Sequence, residues 1–137
     1  MTYGRQPRPA PRSSQRPDRR RETGKLGEAA AAELLASKGY RIVARNWRCR
    51  TGELDLIAEL AGTLVFVEVR TRRPTGTHGT AKEAVDAWKQ RQVKETAQYY
   101  LYATKRYDVK VRFDVIAVEL SEQDKAAPRI DHIENAF

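Results

Sequence analysis

Asp55, Glu68 and Arg70 carry the chemistry that stands out most in this 137-residue chain. They lie in the stretch GELDLIAELAGTLVFVEVR at 52–70, which reads as strands Glu53–Leu60 and Thr63–Arg70 joined by a tight turn at Ala61-Gly62. A two-residue loop pairs residues whose numbers sum to 123, so Leu60 faces Thr63 and Asp55 faces Glu68. Opposed carboxylates repel and require a positive partner. Glu53 and Arg70 also sum to 123 and share that face, giving an acidic cluster with one guanidinium. Arg70 by itself satisfies the cluster as a structural ion-pair network. A hard divalent ion is the other solution: Mg²⁺ takes oxygen ligands and keeps waters, so two carboxylates and a backbone carbonyl suffice. Such an ion polarises a phosphoryl oxygen and acidifies a bound water.

The elements that must hold this hairpin follow from the flanking pattern. Residues 24–38 form an Ala/Leu-rich helix that ends at Gly39. Glu28, Ala31, Ala32 and Leu35 share its apolar face. On physical grounds Glu28 is most simply a helix-dipole carboxylate with Lys25 nearby. Tyr40–Trp47 is a first strand with Trp47 a core or edge aromatic, completing an antiparallel meander with the hairpin. Arg72, Arg73, His78 and Lys82 follow in or beside a polar loop, where the two arginines suit phosphate contacts and His78 is solvated. Residues 80–105 are helical with a break at Asp86, a good cap. Lys89 heads a stripe with Val93, Thr96, Ala97 and Tyr100; it either snorkels past the sheet edge or points at the carboxylates. Gln90, Arg91 and Lys94 read as solvated.

Val109–Leu120 is a buried strand reached by a helical crossover and so pairs in parallel. Within it, Asp114 shares a face with Lys110 and Arg112 as a structural ion pair. A linker at 121–129 leads to RIDHIENAF, an edge element expected to add Ile130, Ile133 and Phe137 to the core, with His132 left without a partner. The expected architecture is a single α/β domain over 24–137: an antiparallel meander plus a parallel strand in one mixed sheet, flanked by helices.

Composition narrows the function classes. The net charge is +8, but residues 1–23 hold seven arginines against Asp18 and Glu22 and account for +5 of it. That Arg/Pro/Ser-rich segment is expected to be a disordered basic arm, either binding phosphates in a salt-dependent way or serving only solubility. One cysteine, Cys49, excludes an intrachain disulfide, and no apolar run suits a membrane span. The expectation is a cytoplasmic protein with a polyanionic partner.

The runs G-x-x-GE at 24–28, GELDLIA at 52–58, FVEVR at 66–70, EAV with Lys89, and AQYYL at 97–101 together resemble the YraN-like family of small bacterial proteins. That family is distantly similar to archaeal Holliday-junction resolvases, within the restriction-endonuclease-like superfamily. The resemblance covers roughly residues 24–120 and excludes the arm. It implies a Mg²⁺- or Mn²⁺-dependent endonuclease acting on DNA, with branched DNA as one substrate and a homodimer for symmetric cutting. Asp55 and Glu68 would be metal carboxylates, the Val69 carbonyl a third ligand, Glu28 a carboxylate reaching the site from its helix, and Lys89 a basic residue beside the phosphate. Arg70 stands where the Glu-x-Lys signature commonly has Lys. Arginine clamps a phosphate but does not act as a base, so a non-cutting nucleic-acid-binding module is the alternative.

Overall fold

A computed structural model describes residues 19–73, 85–121 and 127–137. The arm up to residue 18, His78 with its loop, Lys82 and residues 122–126 lie outside the described residues. The elements are α1 (Arg19–Ser37), β1 (Arg41–Cys49), β2 (Gly52–Leu60), β3 (Thr63–Arg72), α2 (Ala87–Thr104), β4 (Lys110–Glu119) and β5 (Arg129–Ile133). They build one five-stranded sheet in the order β1-β2-β3-β4-β5. β3 and β4 run parallel, and every other neighbouring pair is antiparallel. This is the expected α/β architecture, compatible with a restriction-endonuclease-like fold. One boundary differs: α1 begins at Arg19, so residues 19–23 of the expected arm are helical.

Each helix covers one face of the sheet. Ala31, Ala32 and Leu35 of α1 pack with Leu56, Ala58, Val65, Val67, Ile116 and Val118. Val93, Ala97 and Tyr100 of α2 pack with Leu54, Ile57, Leu64 and Phe66. Trp47 is partly buried against this core and meets Tyr100 edge-on with ring centroids 5.3 Å apart. Close approach of α1 depends on Gly27, where a Cβ would overlap the Thr71 side chain of β3. On the other face, Gln92 Nε2 donates to the Thr51 carbonyl (3.1 Å) and Thr96 Oγ1 meets Thr51 Oγ1 (3.0 Å), pinning α2 to the β1–β2 turn. Asp86 caps α2 as anticipated, accepting the Lys89 N–H at 2.8 Å.

The β2–β3 turn has positive φ at both Ala61 (49°) and Gly62 (82°), matching a two-residue hairpin loop. The expected register holds from Leu60↔Thr63 to Leu56↔Val67. Beyond Leu56 the regular pairing ends, although β1 and β2 stay paired to Cys49↔Gly52. β2 also rolls at this point: Leu56 joins the α1-side core, yet Leu54, two residues away, joins the α2-side core. A regular strand keeps such residues on one face.

The C-terminal region corrects two expectations. Ile130 and Phe137 join the two cores, but Ile133 is exposed because β5 is an edge strand covered on one side only. His132 has partners: its Nε2 lies 2.7 Å from Asp114 Oδ2, and Lys38 Nζ lies 2.8 Å from its Nδ1. In α2, Lys94 is exposed as expected, with its ammonium 5.7 Å from the Phe113 ring centroid, whereas Gln90 is half-buried and donates to the Val85 carbonyl at 2.8 Å.

Candidate active site

The notch opened where β2 leaves β3 holds the carboxylates. Asp55 is not a ladder partner of Glu68, which corrects the simple pairing rule. Its Oδ2 instead accepts the Val69 N–H at 2.9 Å. The N–H and C=O of one strand residue point to the same side, so the Val69 carbonyl also faces the β2 edge. Glu68 is buried and within hydrogen-bonding reach of Asp55. From α2, Lys89 Nζ comes within 3.6 Å of Glu68 Oε1. Of the two readings of Lys89, the structure takes the one aimed at the carboxylates.

Electrostatics follow from that packing. Burial first, and then the Glu68 charge, push the Asp55 carboxyl up to about 7, with the Val69 N–H acting in the opposite direction. Burial also raises Glu68, while Lys89 and Arg70 oppose it. Glu28 is raised by partial burial and by the charge of Asp55. Its carboxylate therefore lies within electrostatic range of Asp55, an interaction beyond the helix dipole.

The expected Glu53–Arg70 pairing does not form, because the hairpin has already opened. Glu53 pairs with Arg48 of β1, Nε to Oε2 3.3 Å. Arg70 interacts with Glu68 through its charge, and its buried Nε lacks a hydrogen-bond partner among the described residues. Arg72 ends β3 and Arg73 follows it. Arg73 Nε donates to Thr23 Oγ1 at 3.0 Å, bracing the first turns of α1, and Arg72 is likewise engaged.

Asn46 is the site residue that sequence reasoning missed. Its φ is 50°, in the left-handed region, on the strand beside Asp55. With its amide nitrogen turned to the carboxylates, it lies 2.9 Å from Glu53 Oε1 and 3.2 Å from Glu28 Oε2. The available signal was an Asn inside a strand, a residue poor at pleating but tolerant of positive φ.

The donors fit a hard divalent ion. Asp55, Glu68 and the Val69 carbonyl present only oxygen, and proximity of two carboxylates is costly without a cation. No three His, Cys, Asp or Glu side chains among the described residues form a ready cage. Mg²⁺ commonly binds through one or two carboxylates with waters and substrate phosphates completing its shell.

Residues 27–118 match the model of the uncharacterised protein family UPF0102. The chain belongs to the UPF0102 family. The matched span includes Glu28, Asp55, Glu68, Arg70 and Lys89. A UPF0102 protein of Geobacter sulfurreducens is 49% identical over 114 residues, covering 83% of this chain and 87% of that protein. One from Pelobacter propionicus is 46% identical over 130 residues, covering 93% and 90%. Another, from Symbiobacterium thermophilum, is 49% identical over 117 residues, covering 85% and 97%. No described helix is long and apolar enough to cross a membrane.

Proposed function

We propose that this chain is a Mg²⁺- or Mn²⁺-dependent DNA endonuclease that hydrolyses phosphodiester bonds, with branched DNA as its substrate. The observation that carries the reading is the notch between β2 and β3. There Asp55 and Glu68 are held together, largely out of water, with the Val69 carbonyl on the same edge. In this reading Asp55, Glu68 and Val69 hold the ion. When bound, the ion supplies Lewis acidity to the scissile phosphate and to the attacking water.

The remaining residues position and neutralise. Arg70, whose guanidinium charge acts on Glu68, offsets charge built up in the transition state. Its inability to serve as a base is not fatal where a carboxylate takes that role, and Lys89 adds a second positive charge beside Glu68 from α2. Glu28 faces the same notch and, once ionised, can accept a proton from the attacking water. Arg72 at the end of β3 and Arg73 just beyond it extend the positive track toward the DNA backbone. Symmetric cutting of a branch requires two such sites, so the proposal includes a homodimer in the cytoplasm.

Cleavage of linear, flapped and four-way DNA with Mg²⁺ and Mn²⁺ tests the reading. Metal-dependent cutting by the wild type that is lost in Asp55→Asn and Glu68→Gln, with DNA affinity retained, is the expected result. Metal binding and DNA binding with no cutting on any substrate would favour the binding module.

A further inference from the structure

The outward face of α2 carries an aromatic stripe that neither the core nor the notch uses. Trp88, Arg91, Glu95, Tyr99 and Tyr102 fall within ~80° of one another at 100° per residue. That line is opposite the buried face of Val93, Ala97 and Tyr100. Trp88 is 63% exposed, Tyr99 45% and Tyr102 74%. Single exposed apolar residues are ordinary, but three on one helical line are a patch. Its far end opens into a groove of about 530 Å³ lined by Tyr99, Tyr102, Arg106 and Tyr107.

We infer that this stripe binds a single strand of DNA leaving the notch. Three observations identify the occupant. First, the stripe starts beside the site: Trp88 precedes Lys89, whose ammonium meets Glu68. From there it runs about 21 Å along the helix. Second, residues 87–108 carry Lys89, Arg91, Lys94, Lys105 and Arg106 against Glu95 and Asp108; Lys89 is engaged by Glu68 and Lys94 lies against the Phe113 ring, so Arg91, Lys105 and Arg106 are the cations that face phosphates. Arg106 is partly neutralised by Glu59 at 3.0 Å, and Asp86 is turned in to cap the helix. Third, exposed aromatic faces interleaved with cations are the means by which proteins stack unpaired bases, which a continuous duplex does not offer. The rise of about 4.5 Å between Tyr99 and Tyr102 is of the order of one nucleotide step. The direction of the strand rests on the nuclease reading of the notch. The binding itself does not, and this assigns the substrate class to DNA with a free or splayed strand.

The test uses the full chain in chelator, so that cutting plays no part. A fluorescently labelled oligothymidine 12-mer and a duplex of equal length are titrated against wild type, Tyr99→Ser/Tyr102→Ser and Trp88→Phe. Circular dichroism and size exclusion accompany each variant. The wild type is expected to favour the single strand, with quenching of tryptophan emission that disappears in Trp88→Phe. The tyrosine double variant should lose about tenfold or more in single-strand affinity and change little toward the duplex. Equal losses for both DNAs, or an unchanged single-strand affinity, would overturn the proposal. So would a wild-type dimer that the double variant dissociates without loss of single-strand binding, which would reassign the stripe to a second copy of this chain. Absence of nuclease activity leaves every one of these readings intact.

Discussion

The Asp55 carboxylate accepts the Val69 N–H at 2.9 Å, at the point where the regular β2–β3 ladder has ended. One side chain thus takes over hydrogen bonding from the backbone, and the strands part without leaving that donor unsatisfied in a buried place. The space so created receives Glu68 and Lys89. The site is a consequence of where two strands stop pairing.

Metal affinity should depend on pH in a defined sense. Protons compete with the ion for Asp55, whose carboxyl is pushed up to about 7 by burial and by Glu68. Calorimetric titration of Mg²⁺ and Mn²⁺ should therefore show affinity rising from pH 5.5 to about 7 and levelling above it. Asp55→Asn should abolish the heat. A pH-independent affinity would mean that these carboxylates are not the ligands.

The same shift predicts the stability of the metal-free protein. In the unfolded chain Asp55 ionises near ~3.9. Because its folded value is raised, the native state holds the extra proton between about 4 and about 7, and stability falls as pH rises through that window. Urea melts at pH 8 should find Asp55→Asn more stable than the metal-free wild type by a few kcal/mol, with the gap closing toward pH 4. Saturating Mg²⁺ should narrow or reverse the order by stabilising only the wild type. A destabilised variant at pH 8 would contradict the proposed cost of the buried charge.

Gly27→Ala should cost about 1–3 kcal/mol by thermal or chemical denaturation, because the new methyl overlaps Thr71. The double variant Gly27→Ala/Thr71→Gly should be less destabilised than the sum of its single changes. Additive losses would place the effect elsewhere than at this contact.

Asp114 is fully buried and accepts from Arg112 Nε (2.9 Å) and Nη2 (2.8 Å) and from the Asn135 N–H (2.9 Å), with His132 Nε2 at 2.7 Å. Burial opposes its ionisation, but the hydrogen bonds from His132, Arg112 and Asn135 outweigh it and hold the carboxyl at about 2. The stabilisation is present above the unfolded value near ~3.9 and lost as pH falls through about 2. Asp114→Ala should cost about 3–5 kcal/mol at pH 7 by leaving Arg112 without its buried partner. Metal binding at the notch should not change, and a loss of both would show that the two networks are linked.

Sequence by itself determined the elements and the register near the turn. Ala61-Gly62 favours a two-residue loop, and that loop set the partners from Leu60↔Thr63 to Leu56↔Val67 by counting alone. Alternation in β3 placed Glu68 toward α2, and the apolar stripe of α2 placed Lys89 toward the sheet. The link through α2 made β3 and β4 parallel. Tertiary structure decided where the ladder stops. That follows from Leu54 and Leu56 being drawn into cores on opposite faces, a competition between two helices that no local pattern encodes. The same roll moved Glu53 away from Arg70 to Arg48 and turned Asp55 to Val69. Asn46 entered the site with a positive φ, and His132 met Asp114 only because β5 pairs with β4. Periodicity reports which face a residue prefers; it does not report where packing makes a strand change faces.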